Sequence, residues 1–175
     1  SDYNQLHSVV ASWFRSLGID DLVYQFFTPI VVRLVTGQKA TPQGTTAYAT
    51  DKLHTDIWAS EPFDFVNISL PLLGDTERTT ALYYHPTDDF EEKYLRRLSD
   101  FDEGKELAGQ IQLYPGFRRG HAYFLDAILP HKTVRGDGGT RVTLSIQIRR
   151  LVTASEKKEV ESLCSPGRLG HYIDR

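Results

Sequence analysis

Residues 140–150 carry the pattern that most limits what this chain can become. Thr140-Arg-Val-Thr-Leu-Ser-Ile-Gln-Ile148 alternates polar and apolar side chains without a break. Successive residues of a strand point to opposite faces, so Arg141, Thr143, Ser145 and Gln147 share one side and Val142, Leu144, Ile146 and Ile148 the other. A helix would scatter both sets around its circumference. A strand of this length with one apolar face belongs inside a sheet. Its polar face either meets solvent or lines a cavity, and the nearness of Arg141 to His131 favours the cavity.

The same period recurs along the chain. Strands are predicted over 30–36, 47–53, 65–72, 80–85, 109–114, 121–129 and 140–150, separated by Gly, Pro and Asp clusters. Helical spacing appears first at 3–17, where Leu6, Val9, Val10, Trp13, Phe14 and Leu17 share a stripe that Gly18 ends. Asp20 to Phe27 reads as a short second helix closed by Thr28-Pro29. A third helix is predicted over 89–98, opened by the capping-box-like pair Asp88 and Glu91, with Phe90, Tyr94, Leu95 and Leu98 on one face. A charged helix around 155–164 leads into a polar tail. A helix followed by about seven short strands predicts an all-β core with flanking helices, a double-stranded β-helix of jelly-roll or cupin-like type. At 175 residues the chain fits one domain: a helical N-terminal segment over 1–29, a jelly-roll core over 30–150 and a tail over 151–175.

Composition removes several classes of partner. The net charge is −3, and the basic pairs Arg118-Arg119 and Arg149-Arg150 are local, so nothing here forms a stripe for nucleic acid or an anionic membrane. No apolar run approaches the ~18 residues of a membrane span, and no signal peptide is visible. The single cysteine, Cys164, allows no intrachain disulfide, which fits a reducing, cytoplasmic setting. The chain holds no methionine and begins at Ser1, as a processed or excised chain would. A small molecule is the expected partner. Oligomeric state is open.

Four residues carry the chemistry. His54-Thr55-Asp56 precedes one strand-like run, His131 follows another in Leu129-Pro130-His131, and Arg141 opens the alternating strand ten residues later. Two imidazoles and one carboxylate can hold one face of a metal ion and leave three positions open. A nearby arginine can grip a distant carboxylate in a bidentate fork. The H-x-D triplet alone is short enough to arise by chance among six histidines. Taken singly, His54 reads as a turn histidine and Asp56 as a cap, and it is the late His and the strand-borne Arg that lift the triplet above that. His85 and His121 compete with His131 as second imidazole. Arg96 follows His85 inside a predicted helix and Arg135 follows His121 in a loop, so both fit less well.

This arrangement resembles the Fe(II)/2-oxoglutarate-dependent oxygenases. The resemblance implies that His54, Asp56 and His131 bind Fe(II), that Arg141 pairs with the distal carboxylate of 2-oxoglutarate, and that O2 is the oxidant. It further implies hydroxylation of a small polar molecule with release of succinate and CO2. Arg141 and Thr143 look like the family's Arg-x-Ser pair with Thr in place of Ser. The Gly120–His131 stretch is similar to the phytanoyl-CoA-hydroxylase-like branch, although that branch commonly has H-Q-D where this chain has H-T-D. The presence of Asp56 disfavours the halogenase branch, in which the carboxylate is lost, and favours hydroxylation or desaturation.

Strand alternation nominates further residues around such a centre. Asn67 and Tyr48 are candidates to hydrogen-bond the cosubstrate, and Trp58, Tyr84 and His85 to line the substrate pocket. Asp126 is a candidate to steady a ligand imidazole from behind. Arg33, among β-branched neighbours, is an edge-strand charge or a second carboxylate clamp. Each of these is also an ordinary strand or core residue in the plainer reading. Two other functions fit the same pattern: a cupin-like metal enzyme that does not use 2-oxoglutarate, and a non-catalytic jelly-roll binding module.

Overall fold

The computed structural model describes residues 2–27, 29–36, 47–76, 81–85, 94–109, 112–114, 117–134, 139–151 and 172–174. In chain order the elements are α1 (Asp2–Leu17), β1 (Val23–Phe27), β2 (Val31–Thr36), β3 (Phe65–Gly74), β4 (Ala81–His85), β5 (Gln112–Tyr114), β6 (Tyr123–Asp126), β7 (His131–Thr133), β8 (Thr140–Arg150) and β9 (Tyr172–Asp174). Short 3-10 segments occupy Asp20–Leu22, Asp56–Ala59 and Phe101–Gly109. No helix among the described residues is long and apolar enough to cross a membrane.

The alternating strand β8 is the spine of a six-stranded antiparallel sheet. One edge of β8 is taken by β3, from Phe65 opposite Arg149 to Gly74 opposite Arg141. Its other edge is shared, with β2 beside 140–145 and β1 beside 148–150. β6 lies outside β3 and β9 outside β1. A second, three-stranded sheet runs β5-β4-β7, and His54 joins it through an isolated bridge to His131.

The two faces of β8 do different work. Leu144, Ile146 and Ile148 pack with Ile68 of β3 under Val10 and Phe14 of α1. Phe14, Ile68 and Ile146 have no solvent exposure, and full burial of such a side chain contributes about 1.5–3 kcal/mol. The opposite face turns its polar set toward His54 and the second sheet, and the cavity described below lies between the two sheets. A separate cluster of Leu53, Ile57, Trp58, Phe65, Tyr94, Leu98, Phe101 and Ala127 packs around the His54–Asp56 turn.

Several elements differ from the sequence reading. Residues 20–27 are a single 3-10 turn followed by β1, because Val23-Tyr-Gln-Phe-Phe27 finds the open edge of β8 and a strand pairing outweighs local helical spacing. Residues 47–53 make turns and not a strand. Their backbone is held by the 98–102 region, where the Tyr48 hydroxyl donates to the Leu98 carbonyl at 2.9 Å and the Phe101 N–H to the Ala47 carbonyl at 3.1 Å. The apolar run 121–129 is cut short. After β6 the Asp126 carboxylate accepts the Ile128 N–H at 3.1 Å and its carbonyl the Leu129 N–H at 3.0 Å, turning the chain out of one sheet toward the other. His131 therefore opens β7 rather than closing the earlier run. β5 covers 112–114 only, with 3-10 turns before it. Of the helix predicted over 89–98, residues 89–93 lie outside the described residues and 94–98 hold bends and a lone 3-10 position. The helix predicted at 155–164 lies outside them too.

Candidate active site

A reciprocal backbone bridge creates the centre. The His54 N–H donates to the His131 carbonyl at 2.9 Å and the His131 N–H to the His54 carbonyl at 2.7 Å. That pairing sets the two imidazoles side by side, with centroids 4.3 Å apart. Asp56 opens the 3-10 turn two residues after His54. One ligand atom from each of His54, Asp56 and His131 lies within 4.8 Å of the other two.

Both imidazoles are oriented by main chain. His54 Nδ1 meets the Lys52 carbonyl and His131 Nδ1 the Leu129 carbonyl, each at 2.9 Å. A carbonyl only accepts, so Nδ1 carries the hydrogen, and in the neutral ring Nε2 keeps its lone pair for a ligand. This replaces the role suggested for Asp126, which is exposed and serves its own turn. The His54 ring also stacks on Phe101, with centroids 4.6 Å apart and planes 11° from parallel. Lys52 ties this loop to the Phe101 turn through Asp100 at 2.8 Å and Asp102 at 2.7 Å.

Burial acts on two of these three groups, His54 and Asp56. Burial holds the His54 imidazole well below its ordinary pKa, and the charges of His131 and Arg33 push the same way against the Lys52 carbonyl. His54 is therefore neutral and able to ligate. Burial also raises the Asp56 carboxyl, partly offset by His131 and Arg33. Asp56 Oδ2 is buried with no hydrogen-bond partner among the described residues. A buried carboxylate oxygen without a donor is costly, and a bound cation removes that cost.

The cavity beside this centre has a volume of about 240 Å³. Its wall includes His54 and His131, with Arg33, Asn67, Arg141 and Thr143 from the large sheet. Arg141 and Thr143 are each 2% exposed. The Arg141 guanidinium lies over the Phe117 ring, 5.1 Å from its centroid, and Thr143 Oγ1 is buried with no partner among the described residues. Asn67 is on the wall, with its Oδ1 accepting the Ser145 hydroxyl at 2.7 Å.

Other nominated residues lie elsewhere. Tyr48 is not on the cavity wall, because its hydroxyl is committed to the Leu98 carbonyl. Trp58 is not a pocket wall. It has no exposure, its indole N–H donates to the Tyr94 carbonyl at 2.7 Å, and it fills the cluster beneath the turn. The alternation that placed it near substrate does not apply, since 56–59 is a 3-10 turn. Tyr84 and His85 lie on β4, and their side chains fall outside the described residues. His121 is exposed in the turn before β6. Phe101 and Phe117 were not nominated from sequence. Each reaches its partner through a long-range contact, and no local spacing ties Phe101 to His54 or Phe117 to Arg141.

No protein-family profile and no curated protein matches the sequence. Among solved structures, the chain is similar to the non-haem α-ketoglutarate-dependent carbocyclase SnoK from nogalamycin biosynthesis, with a TM-score of 0.51 and 12% sequence identity over 91% of this chain. The match covers 64% of SnoK, so this chain spans less than two thirds of that enzyme's length. At that identity the likeness is one of fold: a β-rich, mainly antiparallel core with few helices. A close His-Asp-His set inside such a core is what the chain itself displays.

Proposed function

We propose that the protein is an Fe(II)- and 2-oxoglutarate-dependent oxygenase, built on a jelly-roll core, that hydroxylates a small polar molecule. The observation that carries this reading is the meeting, at one cavity, of His54 and His131, which have Asp56 within ligand distance, with the buried pair Arg141 and Thr143. Two imidazoles and a carboxylate suit a divalent iron ion. The unpartnered Asp56 Oδ2 and the backbone-fixed Nδ1 atoms fit a metal that takes Nε2, Nε2 and a carboxylate oxygen. The Arg141 fork suits the distal carboxylate of 2-oxoglutarate, and Thr143 Oγ1, buried with no partner among the described residues, would add a hydrogen bond to it.

When bound, iron and 2-oxoglutarate together supply oxidation of a substrate C–H bond by O2, with 2-oxoglutarate leaving as succinate and CO2. The chain's own residues do the rest. His54, Asp56 and His131 would hold the metal. Arg141 and Thr143 fix the cosubstrate's direction of entry. Phe117 and Leu125 keep that stretch of the wall apolar, which limits water near the reacting atoms. A cavity of about 240 Å³ is below the ~300 Å³ at which drug-sized pockets begin, which suits small metabolites.

The test is anaerobic titration of the protein with Fe(II) and then 2-oxoglutarate, watching for the weak visible charge-transfer band of the chelate. A band that appears in the wild type and is lost in His131→Ala supports the reading. Metal binding with no band and no 2-oxoglutarate-dependent succinate release would replace it with a cupin-like metal enzyme. No metal binding at all would leave a binding module.

A further inference from the structure

The cavity holds a second cation that the proposed chemistry does not use. Arg33 stands on β2 opposite Thr143, two residues before Val35, which stands opposite Arg141. That register gives Arg33 the same face as the Arg141–Thr143 pair, and it lines the same cavity. The two arginines differ in depth. Arg141 is buried, whereas Arg33 is exposed, so one guanidinium lies at the floor and the other at the mouth. Among the described residues Arg33 has no hydrogen bond or ion pair, and none of the residues lining the cavity is an Asp or Glu.

Position then speaks to the substrate. The oxygenase reading assigns Arg141 at the floor to the cosubstrate, and the Arg33 guanidinium stands at the entrance with no acidic side chain among the described residues that line the cavity. A guanidinium fork in that place favours a planar or tetrahedral oxyanion over an alcohol or amide. We infer that Arg33 is a specificity residue that grips an anionic group of the primary substrate, a carboxylate or a phosphate, as it enters over the cosubstrate. This rests on the oxygenase reading and narrows its small polar molecule to an anionic one. The competing view, a solvated charge that merely blunts an edge strand, predicts no ligand preference at all.

The experiment uses the full chain loaded with Mn(II) and saturating 2-oxoglutarate, with calorimetric titration of matched probes: propionate against propionamide, phenylacetate against phenylacetamide, and phenyl phosphate against phenol. The expected result is that at least one anion binds on the order of tenfold more tightly than its neutral partner, that Arg33→Gln removes this preference, and that Arg33→Lys keeps some of it. In the same variants the 2-oxoglutarate affinity, measured without probe, stays within about twofold of wild type, and the melting temperature is unchanged, as befits an exposed side chain. No anion preference in any pair overturns the inference, and so does a preference that survives Arg33→Gln. A tenfold loss of 2-oxoglutarate affinity in Arg33→Gln also overturns it, making Arg33 a second cosubstrate clamp while the oxygenase reading stands. If the wild type binds neither Mn(II) nor 2-oxoglutarate, it is the oxygenase reading that has failed.

Discussion

Gly104→Ala is the sharpest structural test of how the core supports the centre. Gly104 lies in the 3-10 segment Phe101–Gly109, beside the six-membered ring of the Trp58 indole. A methyl group there would overlap the indole Cη2 and Cζ3 and stand 2.9 Å from Cζ2. Carbon atoms pack at about 3.5–4.0 Å, so something must move by an ångström or more. The indole cannot swing aside freely, because it has no exposure and its N–H is tied to the Tyr94 carbonyl. Overpacking of this kind costs about 1–3 kcal/mol. For a chain of this length that is roughly 3–10 °C in Tm. The displacement also has a direction. Trp58 shares its turn with Asp56, and Phe101, three residues before Gly104, stacks on His54. Gly104→Ala is therefore expected to weaken metal binding as well as lower Tm. Thermal melting and calorimetric Mn(II) titration read the two effects, and Trp58→Phe in the Gly104→Ala background is expected to restore some of both by making room. A Gly104→Ala protein with unchanged Tm and unchanged metal affinity would refute the packing argument.

Three more outcomes are expected. Arg141→Ala raises the 2-oxoglutarate KM with metal affinity nearly unchanged, since truncating one partner of a desolvated charge pair costs about 2–5 kcal/mol, and Arg141→Lys recovers only a fraction because it lacks the planar fork. Asp64→Asn lowers stability in chemical denaturation by about 2–4 kcal/mol, because buried Asp64 accepts Arg149 Nε at 2.9 Å on each oxygen, and the partly exposed Arg149 keeps the loss below that of a fully buried pair. In the metal-free protein His54 lowers stability as pH falls through ~6.5, because the unfolded chain protonates His54 near that value while the folded chain, with its imidazole held well below it, does not. Asp56, whose folded carboxyl is raised by burial, pulls the other way as pH falls, so the His54 contribution is read as a difference: between pH 7.5 and 5.5, Tm changes less favourably on acidification in the wild type than in His54→Gln.

What the sequence made legible was whatever depended on a short period. β8 matches the predicted 140–150, and α1, β2 and β4 lie within a residue or so of their predicted spans, because alternation and a helical stripe are local signals that burial then reinforces. Failures came where a distant partner decided. β1 is a strand because β8 has an edge to offer, and 47–53 is not one because Tyr48 and Lys52 are claimed by residues some fifty positions later. The turn after β6 needed Asp126 to be read as a cap, whereas its place within an apolar run suggested a strand interior.

The candidate site divides along the same line. His54, Asp56, His131, Arg141 and Thr143 were nominated by residue type and spacing, and the fold brings all five to one place. Their supports could not be nominated so. The atoms that orient His54 and His131 are carbonyls of Lys52 and Leu129, and a carbonyl leaves no mark in a sequence because every residue has one. In both cases the carbonyl belongs to the residue two positions before the histidine. The same Nδ1-to-carbonyl contact thus occurs on both sides of the reciprocal His54–His131 bridge, and each ring's Nδ1 turns back onto its own chain. The pairing that joins the two histidines therefore also leaves both Nε2 atoms available without any dedicated side chain. Asp56, on a turn rather than in the bridge, has no such device, and its Oδ2 is the buried atom left without a donor. On this account the two imidazoles are preformed and the carboxylate is the member of the set that a cation itself must satisfy.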